Sequence, residues 1–283
     1  MFDVGCSILL VFPRHLLILS PGKWLLSPNR SSSVYGHLKP LEDRLRKRED
    51  QGKYWWELRP CAYWQEFLRP KLCIQRIAFH SRVALDDSGM LLNDAAIILP
   101  TVDPWLMACL NSPVMWFFSF RFFPHKKDEA LSMDIQYVER LPIPKPVDST
   151  REAAETTVRP LIELTTRQQQ TQSTLFDWLR VEYGIEKPSN KLLTLADLDS
   201  NTWVGEVKRI RGKKQPLSSA GLHALRDEYT RTIEPARALA AETLTLERTL
   251  SDLVNQAYAL TPAEIALMWL TAPPRMPIPP PTT

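Results

Sequence analysis

Between Lys39 and Arg82 the sequence sets eleven Lys/Arg side chains against six Asp/Glu, and it threads Tyr54, Trp55, Trp56, Tyr63 and Trp64 between them. These residue types suit binding chemistry. Cationic side chains neutralise phosphates, and flat aromatic faces stack on bases or wedge between them. The whole chain carries a formal charge of only +3, which argues against a histone-like binder that relies on bulk charge, so any contact with a polyanion comes from a local patch. Phosphate contacts position a protein, whereas base-edge contacts specify sequence. The basic side chains of the helix and loops, Arg44, Arg46, Lys47, Arg48, Lys53, Arg69 and Lys71, suit the first task. Arg59, Arg76 and Arg82 lie nearer the strand-forming segment and suit the second, because guanidinium matches guanine O6 and N7. His80 beside Arg82, and His125 beside Lys126 and Lys127, are candidate phosphate contacts. Trp55 and Trp56 are adjacent and face different ways, so at least one belongs to a core. An amphipathic helix with a solvated basic face, followed by core aromatics, is the alternative reading of the same residues.

Catalytic chemistry finds little support. A nuclease of the D…ExK type places carboxylates and a lysine around magnesium. Glu206-Val207-Lys208, with Asp197 and Asp199 upstream, is the sole ExK, a three-residue match in a charged helical segment. The histidines are scattered without metal-ligand spacing. Cys6, Cys61, Cys73 and Cys109 contain no CxxC pair, which excludes a zinc site and a secreted disulfide framework and suits reduced thiols in a cytoplasmic protein. At 283 residues, 44% hydrophobic and 24% charged, the chain has the composition of a soluble protein with one large or two modest domains. No membrane span is expected, since the apolar run Val4–Phe12 is too short.

The elements that must carry the basic residues follow from local signals. Pro40 suits a first helical turn, with Leu41 and Leu45 on one face and Gly52 as the stop. Lys71–Phe79 suits a strand; Val83–Leu85 and Met90–Leu92 flank an Asp-Asp-Ser-Gly turn; Ala95–Leu99 is a further strand, and together they predict a small, mostly antiparallel meander. Asp103-Pro104 and Ser112-Pro113 each read as an N-cap followed by proline at N1. The second of these helices is apolar nearly all round, so it is core. Ser149 and Glu152 predict a capping box on a long polar helix that Gly184 stops. Closing helices run from Ser219 to Tyr258, kinked or divided at Pro235, with a seam of Leu239, Leu246, Leu250, Leu253 and Ala257. Thr261 and Glu264 predict a second capping box, and the tail PPRMPIPPPTT is expected to be disordered.

Ordered marks along this framework carry a family resemblance. HLKPLEDRLRKREDQGKYWWELR (37–59), RPKLCIQRIAFHSRVALDDSGMLLNDAAIILP (69–100), LMACLNSPVMWFF (106–118) and ERLPIP (139–144) closely resemble the TaqI-like specificity domain of type II restriction–modification enzymes. Those are DNA adenine methyltransferases, often fused to an endonuclease. The resemblance implies recognition of a short double-stranded DNA sequence beside a separate catalytic domain that uses S-adenosylmethionine. Such a catalytic domain needs a Gly-rich cofactor loop and an N/D/S-P-P-aromatic motif to hold the extruded base, because the target nitrogen is unreachable inside a stacked duplex. Neither motif occurs in this sequence, so the chain is expected to hold no cofactor, to be inactive alone, and to work with a separate or missing methyltransferase or endonuclease half.

The sequence-based reading is therefore an α+β protein with four parts. Residues 1–35 are an atypical leader, read as a truncated or out-of-frame start, with a divergent edge strand and loop as the alternative. Residues 36–146 form the DNA target-recognition domain, 147–272 a helical region and 273–283 the tail. A helical protein–protein interaction module, its C-terminal helices pairing with another subunit, is the rival function.

Overall fold

The structure is a computed structural model that describes residues 32–49, 51–57, 61–212 and 216–281. The expected leader at 1–35 therefore lies almost wholly outside the described residues, as does Arg59. The protein is α+β, and the chain divides into two compact units. The first runs to Lys71 and takes in Asp86–Leu92; the second comprises Leu72–Leu85 and Asn93 onward.

In the first unit, helix α1 (Ser32–Leu38) passes through a 3-10 turn at Lys39–Leu41 into the single turn α2 (Glu42–Leu45). Pro40 sits in a first turn as expected, but the helix stops at Leu45 instead of Gly52. Side chains take over the carbonyls that would otherwise wait for amides four residues on. Arg48 Nε donates to Leu45 O at 3.3 Å, and the Gln51 amide donates to the carbonyls of Arg46 and Arg48 at 2.7 and 2.6 Å. Leu41 is exposed and Leu45 half-buried, so the expected apolar face faces no core. The short helix α3 (Trp64–Phe67) follows. Met90–Leu92, expected as a strand, is irregular. The Asp86 carboxylate accepts from the Met90 amide at 2.9 Å and from Ser88 N at 3.0 Å, using donors that a strand ladder would need. Gly89 closes this turn at φ +72°, and a Cβ there would lie 3.4 Å from Leu68 O.

The strands are β1 (Lys71–Gln75), β2 (Ile77–Ala78), β3 (Val83–Asp86), β4 (Ala96–Leu99) and β5 (Leu131–Ser132). The expected strand 71–79 breaks at Arg76 because its backbone changes partners there. Arg76 N donates to Ala95 O, while Arg76 O accepts from Met133 N, both at 2.8 Å. Accordingly β1 pairs antiparallel with β4, Leu72 opposite Leu99, and β2 pairs antiparallel with β5. The larger sheet has the order β3-β1-β4, so β1 is central and the expected meander is not the topology.

Helix α4 (Pro104–Asn111) starts where Asp103 accepts from Trp105 N at 2.9 Å, and α5 (Pro113–Phe122) where Ser112 accepts from Met115 N at 3.3 Å. Both are the caps expected. Met115 and Trp116 of α5 bury against Leu72, Ile74, Val83 and Leu131, while Phe122 stays exposed. After β5 the single turn α6 (Ile135–Val138) leads to the proline segment, which is fixed by Trp105 Nε1 donating to Pro144 O at 2.9 Å.

Helix α7 (Asp148–Tyr183) begins one residue before Ser149, so the expected Ser149–Glu152 capping box does not form and Val147 holds the cap position without a side-chain bond. Gly184, at φ +65°, ends it by donating to Arg180 O, as expected. The short α8 (Asn190–Leu193) and α9 (Ser200–Arg211) lead to α10 (Ser219–Glu228) and α11 (Glu234–Ala257). A π turn at Tyr229–Ile233 joins the last two and widens the helix where the Pro235 ring would strike the carbonyl four residues back. The seam residues Leu250, Leu253 and Ala257 pack with Val254 against Trp105, Cys109, Ala154 and Val158. The C-terminal helices thus pair within the chain. Helix α12 (Pro262–Leu270) carries the expected Thr261–Glu264 capping box in full.

The proline-rich tail, expected to be disordered, is docked over its described part. Trp116 Nε1 donates to Pro274 O at 3.0 Å, Met276 lies against the sheet cluster and Ile278 is buried, and just ahead of the tail Arg121 donates to Thr271 O at 2.9 Å. Proline-rich backbone makes no hydrogen bonds of its own; here α5 supplies donors, and two apolar side chains supply burial. Among the described residues no helix is long and apolar enough to cross a membrane.

Candidate nucleic-acid interface

The first unit sorts its basic side chains by partner. Glu42 takes Lys39 at 2.5 Å and Arg46 at 2.6 Å, and these hydrogen bonds, Lys39's first, hold its carboxyl below the usual value. Arg69 pairs with Glu66 at 3.0 Å on the surface. Arg48 turns inward: its Nη2 donates to Trp55 O and Glu57 O, each at 2.9 Å, and clips the end of α2 to the aromatic segment. Lys71 is fully buried, donates to Phe67 O at 2.7 Å and ion-pairs with Asp86. Burial pushes the Asp86 carboxyl up, but the hydrogen bonds from Lys71 and Ser88 outweigh it and leave it below the usual value. Lys71 and Arg48, expected as phosphate contacts, are structural instead. An ammonium with no accessible surface cannot meet a polyanion, and the half-buried Arg48 guanidinium commits Nε and Nη2 to the carbonyls of Leu45, Trp55 and Glu57.

Arg44, Lys47 and Lys53 remain exposed with no carboxylate partner among the described residues. Trp55 is the core member of the pair, 6% exposed, and stands edge-on to Trp56 at 89°. Trp56 is half-buried and stacks on exposed Tyr54 with ring centres 4.8 Å apart and planes 4° from parallel. Lys53 Nζ lies 5.6 Å from the Tyr54 ring centre. The stacking face is therefore built by Tyr54 and Trp56. The sequence brought Tyr54 forward with the other aromatics of the stretch but did not single it out beside Trp55 and Trp56, although its alternation with Trp56 across Trp55 is the signal for it.

The second unit carries Arg76, His80, Arg82, Lys126 and Lys127. Arg76 is held by Asp134 at 2.7 Å; Ser132 and then Arg76 keep the Asp134 carboxyl below the usual value, with a smaller contribution from Lys126. Arg82, Lys126 and Lys127 are exposed. Half-buried His80 has its imidazole lowered by burial, then by the charges of Arg82 and Arg275. Arg275, in the tail, is a further residue the sequence did not bring forward. His125 is tied to Phe120, its Nε2 lying 2.8 Å from the carbonyl and its ring edge-on at 4.6 Å.

Elsewhere the polar groups are spent on structure. Glu206 of the ExK triplet is buried and bound by Arg209 and Ser189; the Arg209 hydrogen bond holds its carboxyl at about 2 against the effect of burial. Asp199 caps α9. Among the described residues no three His, Cys, Asp or Glu gather where they could hold a metal ion. The described glycines with positive φ end helices, at Gly184 and Gly212, or close the turn at Gly89, so none forms a strand–loop–helix cradle that would fit S-adenosylmethionine. A cavity of about 290 Å³ between β1 and α7, lined by Leu72, Met107, Val158 and Ile162 with Glu155 and Arg159 at its edge, includes none of the candidate DNA contacts.

Two family models match the chain. Residues 147–254 match a domain of unknown function (DUF8810), and residues 32–143 match the TaqI-like C-terminal specificity domain. No curated protein and no solved structure matches. The second match spans α1 to the proline segment after α6 and contains the Tyr54–Trp56 stack and every candidate contact from Arg44 to Lys127, so it is the stretch with the basic and aromatic residues that is similar to the TaqI-like C-terminal specificity domain.

Proposed function

We propose that this chain recognises double-stranded DNA as the specificity part of a restriction–modification system, in the adenine-specific methyltransferase class, with the catalytic and S-adenosylmethionine-binding half supplied elsewhere. The observation that carries this reading is the stretch Arg44–Trp56. Within it Arg44, Lys47 and Lys53 keep their charge free of carboxylates, and an aromatic stack of Tyr54 and Trp56 lies beside Lys53. Exposed unpaired cations suit phosphates, and the stack offers a flat face to a base or sugar. Arg76, oriented by Asp134 at 2.7 Å, is the candidate for base reading, since a guanidinium fixed by one carboxylate keeps other N–H groups for O6 and N7 of guanine. The rival reading, a helical interaction module, is weakened because Leu250, Leu253 and Ala257 of the α11 seam pack against α4 and α7 of the same chain.

The test is a titration of the full chain with labelled duplexes of different sequence, from low salt upward. Arg44→Ala, Lys47→Ala and Lys53→Ala should each reduce the salt slope of log affinity by about 0.9 and weaken all duplexes alike. Arg76→Ala should cost about 1–3 kcal/mol on a cognate site and relax discrimination there. A wild-type chain that binds no duplex even at low salt ends this reading.

A further inference from the structure

The tail ends up on the specificity domain, and one residue of it is held in an unusual way. Arg275 adopts φ +62°, a left-handed conformation that costs an L-residue energy and persists only where its surroundings fix it. Three contacts fix it. The carbonyl of Pro274, one residue earlier, accepts from Trp116 Nε1. The Arg275 side chain sends Nη1 and Nη2 to the Asp128 carbonyl at 3.2 Å each. Its guanidinium carbon lies 5.2 Å from the centre of the Phe79 ring. Asp128 itself holds φ +58° and Glu129 φ +60°, in the loop that carries exposed Lys126 and Lys127. The charge of Arg275 also acts on His80, whose imidazole is lowered by burial, then by Arg82 and Arg275.

Arg275 is thus bonded to a backbone oxygen and a ring face, and no ion pair with a carboxylate is found for it among the described residues. Two N–H bonds to one carbonyl leave the charge intact and other guanidinium N–H groups uncommitted. Two other stretches therefore bring cations towards Arg275: Arg82, after β2, whose charge acts on the same His80, and Lys126 and Lys127 in the loop whose Asp128 carbonyl Arg275 holds. Like charges in one place repel each other, and an anion seated among them relieves that repulsion. Residue 275 lies beyond both matched segments, 32–143 and 147–254, so neither family model assigns it a role.

We propose that Arg275, docked by the C-terminal tail beside His80 and Arg82, contacts a phosphate of the DNA backbone and extends the specificity domain's phosphate-binding surface. The inference rests on the DNA-recognition reading above. It adds a contact from outside the specificity domain, and it makes the tail part of the interface as well as part of the fold.

The experiment uses the full chain with Arg275→Gln and Arg275→Lys, titrated with a labelled duplex across a range of salt concentrations. Glutamine removes the charge, whereas lysine keeps it but cannot hold the Asp128 carbonyl with a paired fork. The expected result is a salt slope lower by about 0.9 for Gln and unchanged for Lys, with the loss of affinity the same for every duplex sequence. A Gln variant that keeps the wild-type slope overturns the phosphate contact while leaving DNA recognition by the chain standing. Equal loss in Gln and Lys also overturns it, and makes Arg275 an anchor of the tail only. A wild-type chain without salt-dependent binding removes the DNA-recognition reading itself, and this proposal with it.

Discussion

Lys71 offers the sharpest test of how the structure divides cations between folding and binding. Its side chain has no accessible surface, and its partner Asp86 is 12% exposed. Removing one member of such a pair leaves a charge in a poorly solvated place, at a cost of about 3–5 kcal/mol. Asp86 keeps donors from Ser88 N, Ser88 Oγ and Met90 N after the lysine is gone, which sets the expectation at the lower end, about 3 kcal/mol. Lys71→Met isolates this electrostatic part because methionine fills most of the space of the buried stem; Lys71→Ala should lose about 2 kcal/mol more for the missing methylenes. In urea, with slopes of about 1–3 kcal/mol per molar, the methionine variant should unfold at least about 1 M earlier. The loss should shrink in acid. The pair holds the Asp86 carboxyl below its usual value, so the pair's stabilisation is complete above the unfolded carboxylate pKa and fades as pH falls through the lower folded value. The DNA salt slope, measured where the variant is still folded, should match the wild type. A Lys71→Met chain with wild-type urea midpoint and a flattened salt slope would refute the reasoning, since that is how a solvated phosphate contact behaves.

Other consequences follow from the same division. Arg48→Ala removes charge-assisted bonds to the carbonyls of Trp55 and Glu57 and should cost about 2 kcal/mol, with faster amide exchange around Trp55 and little change in salt slope. The pH dependence of stability should show two opposed carboxyls. Glu206, held at about 2, adds stability that is present above its unfolded value and lost as pH falls toward 2, so Glu206→Gln should be more damaging at neutral pH than in strong acid. Glu247, pushed up to about 6 by burial, disfavours folding once ionised, so Glu247→Gln should stabilise the chain at pH 7 and do nothing at pH 4; denaturant titrations at those pH values read both.

The elements readable in the sequence are those set by adjacent residues. Asp103-Pro104, Ser112-Pro113, Thr261-Pro262-Ala263-Glu264 and Gly184 each carry their whole cap chemistry within four positions, and all four form. The failures lie where a distant partner decides. Nothing within Lys71–Phe79 shows that Arg76 passes its backbone from Ala95 to Met133, so the strand break and the β3-β1-β4 order were out of reach. Met90–Leu92 has a strand's apolar side chains, but Asp86 takes its amide. The tail was read as disordered on proline content, while Trp116, 158 positions before Pro274, holds that carbonyl, and Arg121 holds Thr271 O just ahead of the tail. The candidate site depends on distant partners in the same way: Lys71 and Arg48 are indistinguishable from Lys47 by type and neighbourhood until their partners Asp86, Trp55 and Glu57 are in place.

That dependence on partners sets the strength of any DNA contact. Of the eleven Lys/Arg between Lys39 and Arg82, Lys39 and Arg46 are taken by Glu42, Arg69 by Glu66, Lys71 by Asp86, Arg76 by Asp134 and Arg48 by three carbonyls. Arg44, Lys47, Lys53 and Arg82 are left, with Arg59 outside the described residues. Each phosphate contact contributes about 0.9 to the salt slope, so the four give about 3.6, and Lys126, Lys127 and Arg275 raise the ceiling to about 6; eleven independent contacts would approach 10. The exposed pairs on Glu42 and Glu66 have little stability to lose. A duplex could capture Lys39, Arg46 and Arg69 by outbidding those carboxylates, whereas Lys71 would have to leave a site without solvent access. A wild-type slope between about 3 and 6 means that the folded pairing persists on DNA. A slope near 10 would mean that even the buried partners exchange, and the division between structural and binding cations would not survive it.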